Sequence, residues 1–127
     1  MNATCHWMLW CVAKNEAKAL KLLNRVVAQL RCVPAEFRCD RDEDIPGFAV
    51  YFETAAVGST WADVVFSMLS LGQRTARLWT VVPHMVGRPL EDAVEAFSDE
   101  SLVPGIRRIQ WHINHPERAC AVVDDLA

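Results

Sequence analysis

The stretch HWMLWCVAKNEAKALKLLNRVVAQLR, residues 6–31, sets the start of the fold through two contrasting patterns. Residues His6–Ala13 are a run of aromatic and aliphatic side chains, which predicts a strand buried on both faces and therefore central in a sheet. From Asn15, a residue type that caps helices well, apolar side chains recur at helical spacing and predict a helix to about Arg31. The opposite side of this helix carries the basic side chains of Lys14, Lys18, Lys21 and Arg25.

The next segment has the pattern of a β-hairpin followed by a second helix. Residues Glu36–Asp40 alternate charged and apolar side chains, as an edge strand does, and Phe48–Thr54 alternates in the same way. The polar residues between them end in the turn signal Ile-Pro-Gly and predict the connecting loop. Thr60-Trp-Ala-Asp63 has the spacing of a capping box, so the second helix is predicted to begin there and to end near Gly72.

The remaining chain contains three shorter segments. Arg77–Val82 is predicted to be a strand, and Pro89–Phe97, which is rich in acidic residues, a short helix. Ile106–Ile113 is predicted to be a final strand with Ile109, Trp111 and Ile113 on one face. Residues 116–127 begin with Pro116, which ends the strand, and are predicted to be a peripheral tail.

The order β-α-β-β-α-β, with an additional C-terminal strand, predicts an α+β fold of the ferredoxin-like class in a single domain, 1–127. In such a sandwich the sheet is antiparallel and both helices lie on one of its faces. The other face is then uncovered unless a partner covers it, which makes it the first place to look for a function.

Composition excludes several classes of protein. Apolar residues make up 52% of the chain, which is incompatible with a disordered segment. The net charge of −3 does not favour binding to nucleic acid, because phosphate contacts require a basic surface. No apolar run approaches the ~20 residues needed to cross a bilayer, and no secretory signal is evident. Five cysteines without a paired spacing indicate reduced thiols, so we expect a cytoplasmic protein that does not bind a membrane.

No phosphate loop, metal cluster or catalytic dyad is evident, so no cofactor and no enzymatic activity are predicted. Acidic groups and tryptophans are the candidate binding residues, because complementary charge speeds association and tryptophan dominates interface hot spots. The candidate partner-binding residues are Asp40, Asp42, Glu43, Asp44, Glu91, Asp92, Glu95, Trp10 and Trp111. A solvated acidic surface and core tryptophans are the alternative interpretation of the same residues.

The histidines and cysteines are the remaining candidates for a metal site or a reactive group. His112 and His115, with His84 or Cys120 nearby, could form a zinc site if the strand ends between the two histidines. Ordinary half-buried histidines are the favoured interpretation. The cysteines have no evident cationic neighbour that would activate them, and free cysteine is commonly buried. We therefore interpret them as core residues.

Three segments together resemble a known class of proteins: Trp61-Ala-Asp-Val-Val-Phe-Ser-Met-Leu-Ser-Leu71, Leu78-Trp-Thr80 and Gly105-Ile-Arg-Arg-Ile-Gln-Trp111. Their layout is similar to that of small immunity proteins, which neutralise bacterial contact-dependent or polymorphic toxins. The resemblance implies a cytosolic single-domain protein that blocks one cognate toxin, often a nuclease, by occluding its active site. It assigns no functional residue.

A small ferredoxin-like dimeric enzyme or ligand-binding domain is the alternative. In that case two sheets pack across the dimer and enclose a pocket. His6, His84, His112 or Tyr51 would then be candidate acid–base groups, provided that they line the pocket.

Overall fold

The computed structural model of the chain describes residues 1–43, 46–82 and 89–118. These residues form two helices and eight strands. In chain order the elements are β1 (Asn2–Cys11), α1 (Glu16–Leu30), β2 (Ala35–Arg41), β3 (Phe48–Val57), α2 (Trp61–Gly72), β4 (Ala76–Arg77), β5 (Thr80–Val82), β6 (Ala93–Ser98), β7 (Glu100–Ser101) and β8 (Ile106–Asn114).

Six strands form one sheet in the order β2-β3-β1-β8-β6-β5, and each neighbouring pair is antiparallel. β4 and β7 pair separately. The predicted α+β class is therefore confirmed, as are the hairpin of β2 with β3 and the internal position of β1. The last strand, β8, does not lie at an edge, because β6 and β5 continue the sheet beyond it.

Helix α1 begins where the sequence predicts. The Asn15 side chain accepts a hydrogen bond from the backbone N–H of Lys18 at 2.9 Å, which satisfies one of the free donors of the first turn. The helix ends at Arg31, which has the left-handed φ of 56° and donates its N–H to the carbonyl of Val27. Its buried side chains are those of Ala19, Leu22, Leu23, Val26 and Leu30.

Helix α2 has the predicted cap as well. The Thr60 hydroxyl accepts the backbone N–H of Asp63 at 3.2 Å, and the Asp63 carboxylate lies in the first turn, where the helix dipole favours a negative charge. The helix runs to Gly72, as predicted. A Cβ atom at Gly72 would lie only 3.2 Å from the indole nitrogen of Trp111, so this end of α2 packs closely over the sheet.

The two faces of the sheet differ. Trp7 and Leu9 of β1 are fully buried, whereas the alternate residues His6 and Met8 are only partly buried. Buried side chains of both helices and of alternate strand positions form one core cluster. We call this helix-covered side the inner face and the opposite side the outer face. The prediction that the first strand is buried on both faces was wrong, because both helices lie on the inner face.

Residues 89–97 were predicted to form a helix, and this prediction was wrong. Ala93–Ser98 is strand β6, which pairs with β8 on one side and β5 on the other. Val94, Ala96 and Ser98 are buried on the inner face, and Glu95 and Phe97 alternate with them. Two partner strands satisfy the backbone hydrogen bonds of this segment, which outweighs its local preference.

The predicted strand Arg77–Val82 is interrupted. Leu78 has a left-handed φ of 53°, and strands β4 and β5 lie on either side of it. The Trp79 indole donates to the carbonyl of Ala76 at 3.1 Å, which stabilises this bend.

No helix among residues 1–43, 46–82 and 89–118 is long and apolar enough to cross a membrane. Residues 119–127 of the predicted tail lie outside the described residues.

Candidate functional site

The outer face of the sheet carries rows of polar side chains that come from different strands. Strand register assigns its side chains, because residues that face each other across antiparallel strands lie on the same side. One row across β3, β1, β8 and β6 contains Glu53, His6, His112 and Glu95. The next row contains Tyr51, Met8, Gln110 and Phe97, and a third contains Ala49, Trp10 and Arg108.

A hydrogen-bonded chain of three side chains joins the first row to the second. The Tyr51 hydroxyl donates to Glu53 Oε2 at 2.5 Å, and His6 Nδ1 lies 2.6 Å from the same hydroxyl oxygen. A hydroxyl has one proton to donate, so His6 Nδ1 must be the donor in its own bond to Tyr51. In this arrangement the imidazole of His6 carries a proton on Nδ1.

The tyrosine of this chain is held in its protonated form. Burial raises the pKa of Tyr51 well above its usual range, and the hydrogen bond to Glu53 and the charge of that carboxylate raise it further. The Arg38 guanidinium lies 4.9 Å from the centre of the Tyr51 ring and acts in the opposite direction. Tyr51 is thus a hydrogen-bond donor that orients its neighbours, and it is a poor general base at neutral pH.

The second histidine completes a shallow polar depression. The His6 and His112 rings stack with their centres 4.6 Å apart and their planes at 17°. With Glu36, Phe37 and Arg38 of β2, the chain of His6, Tyr51 and Glu53 and the ring of His112 line a depression of about 400 Å³. His6, His112 and Tyr51, the candidate acid–base residues of the alternative prediction, are therefore close together. His84 lies outside the described residues.

The predicted tryptophan anchors are on opposite faces. Trp10 lies on the outer face and is partly buried, so part of its ring is available to a partner. Trp111 is 1% exposed and lies on the inner face. The prediction of Trp111 as a partner contact is corrected accordingly, since α2 covers it and it packs in the core.

The predicted acidic residues form two separate groups. Asp40 is exposed on β2, with Asp42 and Glu43 in the adjoining loop, whereas Glu91, Asp92 and Glu95 lie in or just before β6. Three strands separate β2 from β6, a distance of about 19 Å at the usual strand spacing. Asp44 lies outside the described residues. The carboxylates therefore do not form one patch. Asp40 and Glu95 lie on the outer face, whereas Glu91 lines a depression with residues of α2 on the helix side.

Asp92 and Glu95 are among the carboxylates that have identified partners. Asp92 accepts a hydrogen bond from Arg118 at 2.9 Å, and Glu95 accepts one from the side chain of Gln110 on the outer face. On the same face, Arg108 donates twice to Asp99, at 2.6 and 3.1 Å, and lies 4.6 Å from the centre of the Phe97 ring. Arg108 is the cross-strand partner of Trp10, so its contacts with Asp99 and Phe97 order the side chains beside Trp10.

The suggested zinc ligands are not brought together. His112 lies on the outer face, whereas His115 is buried and packs against Trp61 with the ring centres 5.1 Å apart. Cys120 lies outside the described residues. Among the described residues, no group of three or more His, Cys, Asp or Glu side chains is placed to hold a metal ion.

The four cysteines in the described part of the chain lie in environments that suppress their reactivity. Burial raises the pKa of the Cys11 thiol to about 12, with a smaller contribution from Cys39, and it raises that of Cys5 well above the usual range. Cys32 and Cys39 are partly buried, and the pKa of each is also raised, mainly by burial. A thiol must ionise to act as a nucleophile, so these environments favour the interpretation as core residues.

The sequence did not reveal the chain from His6 through Tyr51 to Glu53. The three residues alternate with core residues in strands 45 positions apart, and only the register of β1 with β3 aligns them. Comparisons with known protein families, with characterised proteins and with solved structures give no match. The geometry of this chain is therefore the basis on which we propose its function.

Proposed function

We propose that this chain is an immunity protein, which binds a cognate bacterial toxin in the cytoplasm and neutralises it by covering its active site. The observation that carries the proposal is the outer face, where a partly exposed Trp10 lies beside the ion-paired Arg108 and in the same row as Asp40. Tryptophan anchors of this kind dominate protein interfaces, and the surrounding polar contacts exclude water from them.

Charge on the outer face supports the same proposal. The carboxylates of Asp40, Glu53 and Glu95 outnumber the guanidinium groups of Arg38 and Arg108. A toxin that cleaves nucleic acid has a basic active-site cleft, so a negative face would speed its capture. The protein then acts by occupancy, in a one-to-one complex, and needs no catalytic group of its own.

We also propose that the fold is of the ferredoxin-like class. We assign β2-β3-β1-β8, with α1 and α2 on one face, to a ferredoxin-like unit of connectivity β-α-β-β-α-β. Strands β5 and β6 then extend its sheet beyond β8. The extension widens the outer face, which suits a surface that must occlude a partner.

The test has two stages. Tagged protein would first be used to isolate its partner from the native host, and the partner's gene would then be expressed with and without this chain. We expect the partner alone to stop growth and the wild-type chain to restore it. Trp10→Ala should abolish the rescue, because it removes the anchor of the outer face.

Phe66→Ala is the matched control. Phe66 is 71% exposed and lies on α2, on the other side of the sheet, so its loss should leave the rescue intact. Circular dichroism and thermal unfolding would establish that both variants fold. Rescue by Trp10→Ala together with failure of Phe66→Ala would place binding on the helix side and contradict the proposal, as would the absence of a one-to-one partner.

A ligand-binding or enzymatic dimer is the second candidate, and the depression lined by His6, Tyr51, Glu53 and His112 favours it. In that case a second copy of the chain covers the outer face. Sedimentation of the purified protein distinguishes the two. A stable dimer that Trp10→Ala dissociates would support the second candidate, whereas a monomer would support the inhibitor.

A further inference from the structure

A second concave surface lies on the helix side of the molecule, away from the outer face. It is a cavity of about 650 Å³ between the first half of α1 and the hairpin of β2 and β3, and we call it the basic groove. Its cationic lining residues are Lys14, Lys18, Lys21, Arg25 and Arg41. Val12, Ala13, Leu22 and Pro46 contribute apolar surface to it.

No neighbour in the described part of the chain neutralises the five cations. Among the described residues none of them takes part in an ion pair, and Arg41 lies over the Phe48 ring at 5.4 Å. Glu16, Asp42 and Glu43 are close in sequence, but none of them lines the groove. A chain with a net charge of −3 thus concentrates positive charge at one place, where like charges repel one another unless an anion is bound.

The bottom of the groove is fixed by backbone contacts. Val12 donates its N–H to the carbonyl of Gly105 at 2.7 Å, and Asp42 donates to the carbonyl of Gly47 at 3.0 Å. A Cβ atom at Gly47 would lie 2.0 Å from the carbonyl oxygen of Cys11, so only glycine permits this close approach. The cavity is therefore formed before any ligand binds, which lowers the entropy cost of binding.

Size and chemistry define the kind of ligand. Eleven residues line the groove, fewer than the roughly 20–30 per side of a stable protein interface. Its volume falls within the range of roughly 300–1,000 Å³ typical of small-molecule sites. Several cations around an apolar surface match a small molecule with several negative charges and an apolar or aromatic body.

We propose that the basic groove binds a nucleoside polyphosphate. The lysine and arginine side chains hold the phosphate oxygens through charge-assisted hydrogen bonds, and the base packs on the apolar surface near Val12 and Leu22. This site is independent of the outer face and of the proposed inhibition, so either proposal can fail without the other.

Calorimetric titration of the full chain with ATP, inorganic tripolyphosphate and adenosine tests the proposal. We expect ATP to bind about tenfold more tightly than tripolyphosphate, and adenosine to bind weakest, because phosphate and base both contribute. Affinity for ATP should fall as salt is raised, since the contacts are charged.

Charge reversal locates the site. Lys18→Glu and Arg41→Glu should each lower the affinity for ATP by about tenfold or more. Lys18 is the third residue after the Asn15 cap, where glutamate favours the helix, so lost binding would not reflect unfolding. Arg74→Glu changes an exposed cation that does not line the groove, and it should bind ATP like the wild type.

Three results would overturn the proposal. The first is no heat of binding for ATP or tripolyphosphate at low salt, and the second is an equal loss of affinity in Lys18→Glu and Arg74→Glu. The third is tighter binding of an acidic peptide or a short single-stranded oligonucleotide than of ATP, which would assign the groove to a macromolecular partner.

Discussion

The inner and outer faces of the sheet are made by alternate residues of the same strands, and they differ in burial and in polarity. On β1, Trp7 and Leu9 are completely buried, whereas His6, Met8 and Trp10 remain partly accessible. The inner face is an apolar core with α1 and α2, and the outer face is a network of imidazole, phenol, carboxylate and guanidinium groups. We infer that stability depends mainly on the inner face and recognition on the outer one.

The largest expected difference between the faces is in the loss of unfolding free energy when adjacent residues of β1 are truncated. Leu9→Ala should lower the free energy of unfolding by about 2–5 kcal/mol, because it leaves a cavity in the core. Met8→Ala, one residue away on the outer face, should cost about 1 kcal/mol or less, because its side chain is already partly hydrated. Urea unfolding of both variants measures the difference. Equal losses would mean that the outer face is covered as completely as the inner one.

Two paired tryptophans of the inner face should differ in how they tolerate loss of the indole nitrogen. Trp7 and Trp111 face each other across β1 and β8, and Trp7 Nε1 donates to the Thr54 hydroxyl at 3.0 Å. Trp111 Nε1 is buried and has no hydrogen-bond partner among the described residues. Trp7→Phe should therefore be less stable than Trp111→Phe by about 1–3 kcal/mol, measured by urea unfolding.

Similar losses of stability in Trp7→Phe and Trp111→Phe would contradict the prediction, which depends on Trp111 Nε1 having no hydrogen-bond partner. They would show that Trp111 Nε1 has a partner in solution, such as a bound water molecule, because an unsatisfied buried donor is costly to retain. Greater stability of Trp111→Phe than of the wild type would support it most directly.

Alkaline pH should destabilise the inner face through its buried thiols. Burial raises the pKa of Cys11 to about 12, whereas an unfolded thiol ionises near pH 8.5, about its ordinary value. Between these values the unfolded state binds fewer protons than the folded state, so stability falls as pH rises, by about 1.4 kcal/mol per pH unit for each such thiol.

Urea unfolding under reducing conditions at several values of pH measures this slope. Cys11→Ala should show a shallower fall above pH ~8.5 than the wild type, because one ionising group of the unfolded state is absent. Below that pH the two slopes should coincide, which serves as the internal control. Identical slopes above it would show that Cys11 ionises as readily in the folded state as in the unfolded one.

A smaller effect is expected on the outer face, where the ionisation of Tyr51 can be followed by its own absorbance. Tyr51 is the only tyrosine in the chain, so the ultraviolet absorbance of the phenolate reports on it alone. We expect it to ionise well above its ordinary pKa, because of burial first and then of the bond to Glu53. Glu53→Gln should lower the pKa of Tyr51, since the acceptor no longer carries a charge.

The same bond has a small consequence for stability. Its contribution is present below the ordinary tyrosine pKa of ~10 and is lost as pH rises through the higher pKa of the folded state. Tyr51→Phe should therefore cost about 1 kcal/mol or less at neutral pH. Ionisation of Tyr51 at its ordinary pKa would show that the hydrogen-bonded chain does not form in solution.

The sequence predicted the elements whose determinants are local. The side chains of Asn15 and Thr60 cap the helices at the predicted residues, and the alternation of Phe48–Thr54 identified β3. Each of these features depends on residues within one or two turns of helix or along one strand, so no distant contact is needed to recognise it.

The errors occurred where distant contacts decide the structure. Residues 93–98 form a strand because β8 and β5 supply hydrogen bonds on both sides, and their acidic flanks misleadingly suggested the start of a helix. Trp10 and Trp111 could not be separated, because the choice between core and surface depends on which side of the sheet the helices cover.

Sequence alone determined the helix caps, the strand alternation, the acidic net charge and the α+β class, since each follows from the order of neighbouring residues. Tertiary structure decided which residues meet. Strand register aligned His6, Tyr51 and Glu53 on the outer face. The packing of α1 beside the β2–β3 hairpin gathered three helix cations, Lys14 and Arg41 around one groove. Both arrangements join residues distant in the chain, and the core that positions them forms only when the whole chain folds.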